Sequence, residues 1–455
     1  MDSPVGWPTL GDVQDTDIAN PTDANRPGQP EPDSAAGDHQ LLLLDAETVT
    51  ELRGRVAGLI DQVRDPASGG LGELAATLQR RLADRPVRAG VVAASADQAS
   101  ERLTRLAATL RGGDAATLDA ANGVFAGRAD RVGRGGSKPA IGYLFPGQGA
   151  GVATGTSALT RRFETARELY QTVTIPAAEY PAWISAAQQR IVASSLAGLR
   201  VLSMLGIEAT AAAGHSIGEL TALHWSGAMS ESELLALVGM HGQTMADTSD
   251  GGGAMARVDA PPDEVEPLLR GEPAVVAGYN SPVQTVVAGP AQAVARLRQT
   301  AVAVGLKAEI LPVRDALHTP AKAPAADKIR AHLAGTRFRP LERSVVSTVT
   351  GDVLPLDTDL HDLLVRQVCE PVRFSQAVGR MAGEVSLLVE VGPDQTLSYL
   401  AAEICPSICF VPLATDGASL SGVLSAAAAA YVLGAPVRHD RLVAGSPAHG
   451  KGTRP

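Results

Sequence analysis

The chain has 455 residues, 45% of them hydrophobic and 19% charged, which is the balance of a globular protein with room for two or three domains. Its net charge of −10 is concentrated in residues 1–40, where eight acidic side chains face one arginine, so the nearly neutral remainder gives no reason to invoke nucleic acid or a membrane surface. Three cysteines (Cys369, Cys405 and Cys409) exclude a disulfide framework, no second ligand pair stands near them to hold zinc, and neither a signal-peptide pattern nor a membrane-length apolar run is present, so a cytoplasmic location is expected.

Residues 1–40 carry six prolines and little apolar periodicity, and are expected to be a disordered acidic tail. Helical spacing follows at 46–64, through Leu52, Val56, Leu59 and Val63, and again at 71–82. Residues 87–94 are strand-like and 96–110 are again helical, so 41–138 is predicted to be a small α+β domain. Its 111–138 portion is rich in Gly, Ala and Asp and is read as a linker.

A new apolar strand begins at Ala140 and runs into Phe145-Pro-Gly-Gln-Gly. Helices follow to Leu205, then a small-residue strand from Thr210 ends in Gly214-His-Ser-Ile-Gly218. A serine between two glycines at a strand-to-helix turn has the form of a nucleophile elbow, with helix amides aimed at charge developing beside it. Residues 254–313 then change rhythm. Strands at 254–258, 274–280, 284–288 and 306–313 alternate with helices at 262–269 and 292–304, a βαββαβ order that predicts an inserted ferredoxin-like subdomain. Further strands are expected at 344–350 and 386–391, and an Ala-rich helix at 420–432. Residues 443–455 are read as a flexible polar tail.

Taken together, Phe145-Pro-Gly-Gln-Gly, Gly214-His-Ser-Ile-Gly-Glu, Asn280-Ser-Pro, Leu311-Pro-Val with Leu317-His318-Thr-Pro, and Glu390-Val-Gly-Pro resemble the acyltransferase family of malonyl-CoA:acyl carrier protein transacylases and polyketide synthase acyltransferase domains. The resemblance implies an α/β-hydrolase-like core with a parallel sheet. Residues 139–253 and 314–410 would form the large subdomain and 254–313 the small one. Residues 41–138 look like the linker domain that joins ketosynthase to acyltransferase, and 411–442 like the segment that wraps back after it.

Carried over by position, the resemblance makes Ser216 the nucleophile and His318 its general base, without a carboxylate third member. A serine attacks a thioester only when a neighbouring imidazole takes its proton, and the same ring can return it to the departing thiol. The backbone N–H groups of Gln148 and Ile217 would form the oxyanion hole. His215, Asn280 and Gln188 would line the acyl pocket, although the Gln189-Arg190 that follows Gln188 departs from the family's continuation. No metal and no bound cofactor is expected, since the substrate carries its own CoA or phosphopantetheine.

Two departures bear on the substrate. Malonyl and methylmalonyl enzymes of this family keep an arginine in the helix after the elbow, whose fork grips the free carboxylate. Here that register reads Val238-Gly-Met-His241-Gly-Gln-Thr-Met245, with histidine in its place. At its ordinary pKa an imidazole is only about one-quarter charged at neutral pH. A buried carboxylate left without its partner costs about 3–5 kcal/mol. The segment before the histidine is Asp315-Ala-Leu-His318, and its acid is expected to repel a carboxylated acyl group further.

These features predict an acyltransferase that moves a non-carboxylated acyl group from an acyl-CoA or acyl carrier protein to a carrier protein through an acyl-serine ester, in trans to a polyketide-type assembly line. The alternatives are an acyl carrier protein thioester hydrolase, which shares the first half-reaction, and a malonyl-type transferase with a relocated cation, for which Arg314 is the candidate. A non-enzymatic docking module would leave both reactive side chains without a purpose.

Overall fold

The computed structural model describes residues 39–65, 69–113, 116–129, 140–148, 157–173 and 182–443. The acidic tail expected over 1–40 falls almost entirely outside them, as does nearly all of the 443–455 tail. Among the described residues, no helix is long and apolar enough to cross a membrane.

The chain enters through an antiparallel sheet. β1 (Gln40–Ala46), β2 (Val87–Ala93), β3 (Thr117–Asp119) and β4 (Val124–Arg128) assemble in the order β1-β2-β4-β3, with α1 (Val49–Arg64), α2 (Leu71–Arg80) and α3 (Ala96–Thr109) between them. Two of these strands correct the reading of 111–138 as a linker, because β3 and β4 form a hairpin inside it. β1 is also more than a short leucine run. Leu42 and Leu44 face the core shared with α1 and α3, while Leu41 and Leu43 join the main core on the other side. A strand covered on both faces shows no alternation, so it lacks the period-2 pattern that marks a half-exposed strand.

The larger sheet starts with β5 (Ile141–Phe145). Helices α4 (Ala158–Arg162), α5 (Glu164–Thr172) and α6 (Ala182–Met204) lead to β6 (Ala211–Gly214), followed by α7 (Gly218–Trp225) and α8 (Glu231–Asp247). Ser230 and Glu233 form a reciprocal capping box that starts α8.

The chain then builds the small sheet from β7 (Gly253–Val258), β8 (Val275–Ser281), β9 (Gln284–Pro290) and β10 (Ala308–Ile310), in antiparallel order β10-β7-β9-β8. The crossovers are α9 (Pro262–Val265), continued as a 3₁₀ turn to Leu269, and α10 (Ala291–Ala303). This is the ferredoxin-like arrangement expected from the βαββαβ order. β10 is shorter than the 306–313 run because pairing with β7 ends at Ile310.

Returning to the large sheet, the chain adds α11 (Ala323–Leu333), β11 (Ser344–Val345), α12 (Leu360–Cys369), α13 (Phe374–Ala382), β12 (Leu387–Glu390), α14 (Thr396–Ile404) and β13 (Cys409–Pro412). The result is a five-stranded parallel sheet, β11-β6-β5-β12-β13, covered by helices. β11 stops at Val345, short of the expected 344–350, because the chain then turns to pair Val346 with Val353.

The last long helix, α15 (Ser421–Val432), packs on β2 and β4 of the first sheet. Its Ala426–Ala430 run is fully buried, and a Cβ added at Gly90 of β2 would lie 2.9 Å from the Ala428 Cβ. Small residues on both surfaces set that close approach. Arg88 fastens the contact by donating to the Tyr431 carbonyl at 3.2 Å while its guanidinium lies 4.7 Å from that residue's ring centroid.

Candidate active site

Ser216 sits just past the C-terminal end of β6, the second strand of the parallel sheet, between β11 and β5, and the chain turns directly into α7. The turn is tight enough to need both flanking glycines. A Cβ on Gly214 would come within 2.1 Å of the Gly218 carbonyl, and one on Gly218 within 2.2 Å of the Phe145 carbonyl oxygen. The glycines therefore serve close backbone approach, and the left-handed backbone falls on the serine itself, with φ of 54°.

From behind, the elbow is held by Glu219 and Thr348. The Thr348 N–H donates to the buried Glu219 carboxylate at 3.0 Å, and the Thr348 hydroxyl to the Gly214 carbonyl at 2.7 Å. Burial raises the Glu219 pKa to about 7, against hydrogen bonds from Ser347 and Thr348 that lower it.

The structure brings His318 to the serine across 102 residues of sequence, with Ser216 Oγ 2.8 Å from His318 Nε2. His318 is also left-handed, with φ of 59°. Its Nδ1–H donates to the backbone carbonyl of Gln367 in α12 at 3.0 Å, which leaves Nε2 as the acceptor facing the hydroxyl. A carbonyl thus occupies the orienting position that a carboxylate fills in a triad. Burial lowers the His318 pKa to about 4, helped by the nearby His215 and opposed by the Gln367 carbonyl. With that pKa the ring is neutral at physiological pH.

Ile217 is the N-cap of α7, and Gln148 lies in the loop after β5. Among the described residues, neither backbone N–H donates to another group. A Cβ on Gly147 would be 3.1 Å from the Ser216 Cβ, so the Gln148 loop passes directly beside the serine.

His215 and Asn280 are joined to each other. His215 Nε2–H donates to Asn280 Oδ1 at 3.0 Å, and Asn280 Nδ2 donates to Gln284 Oε1 at 3.0 Å, so the elbow is tied to the β8–β9 hairpin of the small sheet. The His215 pKa is lowered by burial, against the Asn280 hydrogen bond.

Gln188 and His241 form a second cluster. His241 Nδ1–H donates to Gln188 Oε1 at 2.9 Å, and Gln188 Nε2 donates to Gln148 Oε1 at 3.3 Å. Burial takes the His241 pKa down to about 4, with the Gln367 side chain opposing the shift. The sequence reading of a quarter-charged imidazole is therefore corrected, since this ring is neutral.

Asp315 also departs from expectation. Its carboxylate does not stand free to repel a substrate, because Lys322 Nζ lies 2.6 Å from Oδ2 in a buried ion pair. Lys322 reaches on to the Thr248 carbonyl after α8 at 3.5 Å. The pair ties together the two chain segments that cross between the large and small sheets. Arg314, the candidate for a relocated cation, is exposed. Neither Gln367 nor Lys322 was identified by sequence reasoning. A backbone carbonyl carries no residue signature, and Asp315 lies in an irregular segment before the short 3₁₀ turn that ends at Lys322, so no periodic pattern marks the pair.

A separate cavity of about 400 Å³ opens at the far end of α7, lined by Tyr143, Trp225, Arg200 and Arg343 among others, and none of the site residues above borders it.

Residues 173–405 match the family described as "Acyl transferase domain". Polyketide synthase GfsA of Streptomyces halstedii is 34% identical over 260 residues, covering 55% of this chain and only 4% of that protein. The malonyl CoA-acyl carrier protein transacylase of Bacillus subtilis is 30% identical over 285 residues, covering 58% of this chain and 90% of the relative. Among solved structures, the acyltransferase domain of an iterative polyketide synthase in enediyne biosynthesis superposes with a TM-score of 0.75 at 32% identity, over 90% of this chain and 100% of that one. The chain therefore belongs to the acyl transferase domain family and is an acyltransferase of the type found in polyketide synthases and malonyl-CoA:acyl carrier protein transacylases.

Proposed function

We propose that the protein transfers a non-carboxylated acyl group from a CoA or carrier-protein thioester to an acyl carrier protein through an ester on Ser216. His318 Nε2 takes the Ser216 proton as Oγ attacks the thioester carbonyl, and delivers it to the departing thiolate. The Gln148 and Ile217 amides receive the oxyanion, and a second pantetheine thiol, deprotonated by the same imidazole, resolves the ester. No metal or bound cofactor takes part, because the substrate brings its own pantetheine arm. His215 and Asn280 hold the elbow against the small subdomain over the acyl pocket.

The observation that carries the choice of substrate is His241. With a pKa of about 4 it is charged in only about one molecule in a thousand at pH 7, and its Nδ1–H is already committed to Gln188. It supplies neither the charge nor the planar fork that a malonyl carboxylate needs.

Intact-mass measurement of the protein after incubation with acetyl, longer acyl and malonyl thioesters tests this reading. Neutral acyl groups should accumulate on Ser216, and malonyl should load more slowly. His241→Arg should then raise malonyl loading by about tenfold or more. Equal loading of malonyl and neutral groups by the unaltered protein would contradict the proposal. An ester that decays before any carrier protein is added would identify the reaction as hydrolysis.

The pH dependence has a definite sign. The base works only when unprotonated, and burial lowers the His318 pKa to about 4. Acylation of Ser216 should stay level from pH 8 down to about 5 and fall as pH drops through about 4, in stopped-time mass measurements with circular dichroism monitoring the fold. A midpoint near the ordinary imidazole value would show that the working base is solvated.

A further inference from the structure

Among the described residues, three buried polar atoms around the reactive pair have no hydrogen-bond partner: His241 Nε2, Gln367 Oε1 and Gln148 Nε2. His241 is 6% exposed and Gln367 4%. Because His241 Nδ1–H donates to Gln188, the neutral ring presents Nε2 as a bare acceptor. Gln367 Oε1 is a second acceptor, on a side chain close enough to the His241 ring to oppose its pKa shift but not placed to complete a hydrogen bond with it, and on the residue whose carbonyl orients His318. Gln148 Oε1 accepts from Gln188, which leaves its amide nitrogen as an uncommitted donor beside Ser216.

Unpaired buried acceptors are costly and rare, and at a substrate site they are matched by groups on the substrate. A wholly apolar acyl chain laid against these atoms would leave them desolvated. An ammonium group would be a poor match, because all three facing groups are uncharged. Resting on the reading that the acyl group lacks a carboxylate, we propose that it carries a neutral hydrogen-bond donor, a hydroxyl or an amide N–H, bound by His241 Nε2 and Gln367 Oε1. Gln148 Nε2 donates to the oxygen of that same group. Position 241 thus exchanges recognition of an anion for recognition of a neutral donor.

The test compares acylation rates of the full-length protein by butyryl-pantetheine, its 2-, 3- and 4-hydroxybutyryl counterparts, and malonyl-pantetheine. One hydroxylated chain should load about tenfold or more faster than butyryl, the effect expected of one buried hydrogen bond that the plain chain cannot make. In His241→Leu and Gln367→Leu proteins the ratio of hydroxylated to plain rates should fall toward one, whatever happens to either rate alone. If no hydroxylated chain outpaces butyryl while both outpace malonyl, this inference fails and the proposed function stands. Fastest loading of malonyl, or no loading of any chain, overturns the proposed function as well. Should the variants not fold, the unaltered protein's ratio decides.

Discussion

Replacing Ser216 with alanine eliminates the acyl adduct altogether, for every thioester offered. The substitution is clean because Ala and Ser carry the same Cβ, so the strain of a left-handed residue with φ of 54° is unchanged and only the hydroxyl is lost. His318 is the harder partner to test, since its φ of 59° is also left-handed and histidine enters that region more readily than alanine. His318→Asn avoids the difficulty, because asparagine enters the left-handed region readily but is no base at neutral pH. It should slow acylation by about 10²–10⁴-fold, with the thermal unfolding midpoint near that of the unaltered protein. Normal thioester turnover by either variant would remove the assignment of this site.

The second large effect is expected at the glycines of the elbow. An alanine at 218 puts its Cβ 2.2 Å from the Phe145 carbonyl oxygen and 2.8 Å from that of Pro146, and backbone atoms cannot swing aside as a side chain would. The turn must open, and a displacement of about 1 Å at Ser216 Oγ is enough to cost about 100-fold in rate. Gly214→Ala meets the Gly218 carbonyl group at 2.1 Å and should also destabilise the fold by about 3 kcal/mol. Gly239 is the control. It lies inside α8, where an added Cβ would meet nothing within 4 Å, so Gly239→Ala should be neutral or stabilising by up to about 1 kcal/mol. Urea unfolding and acylation rates on the three proteins separate these outcomes. An unimpaired Gly218→Ala protein would mean that the turn can open without moving the serine.

What could be read from the sequence follows from the range of the physics involved. The elbow is local: a small-residue strand, two glycines and a helix start lie within a dozen residues, and each leaves a composition signal. The small subdomain was legible because its strands and helices alternate in period, so βαββαβ could be written down before any contact was known. His318 lies beyond that range. Nothing in its own neighbourhood says that it meets Ser216, and only resemblance to a family paired them. Hidden entirely were interactions with no residue signature, such as the Gln367 carbonyl behind His318. The expected repulsion by Asp315 and the expected partial charge on His241 failed for a related reason. Lys322 offsets the first and burial removes the second, and neither is visible in any local window.

The Ala-rich helix α15 has a consequence for the order in which the molecule is made. It covers one face of a sheet whose first strand begins at Gln40, so that sheet remains half-clothed until the segment from Ser421 to Val432 has been made. Leu41, Leu43 and Phe125, which belong to the core that α15 completes, are left waiting for a lid made far later in the chain. Nascent chains stalled before Ser421 should therefore be the ones that chaperones hold and proteases find.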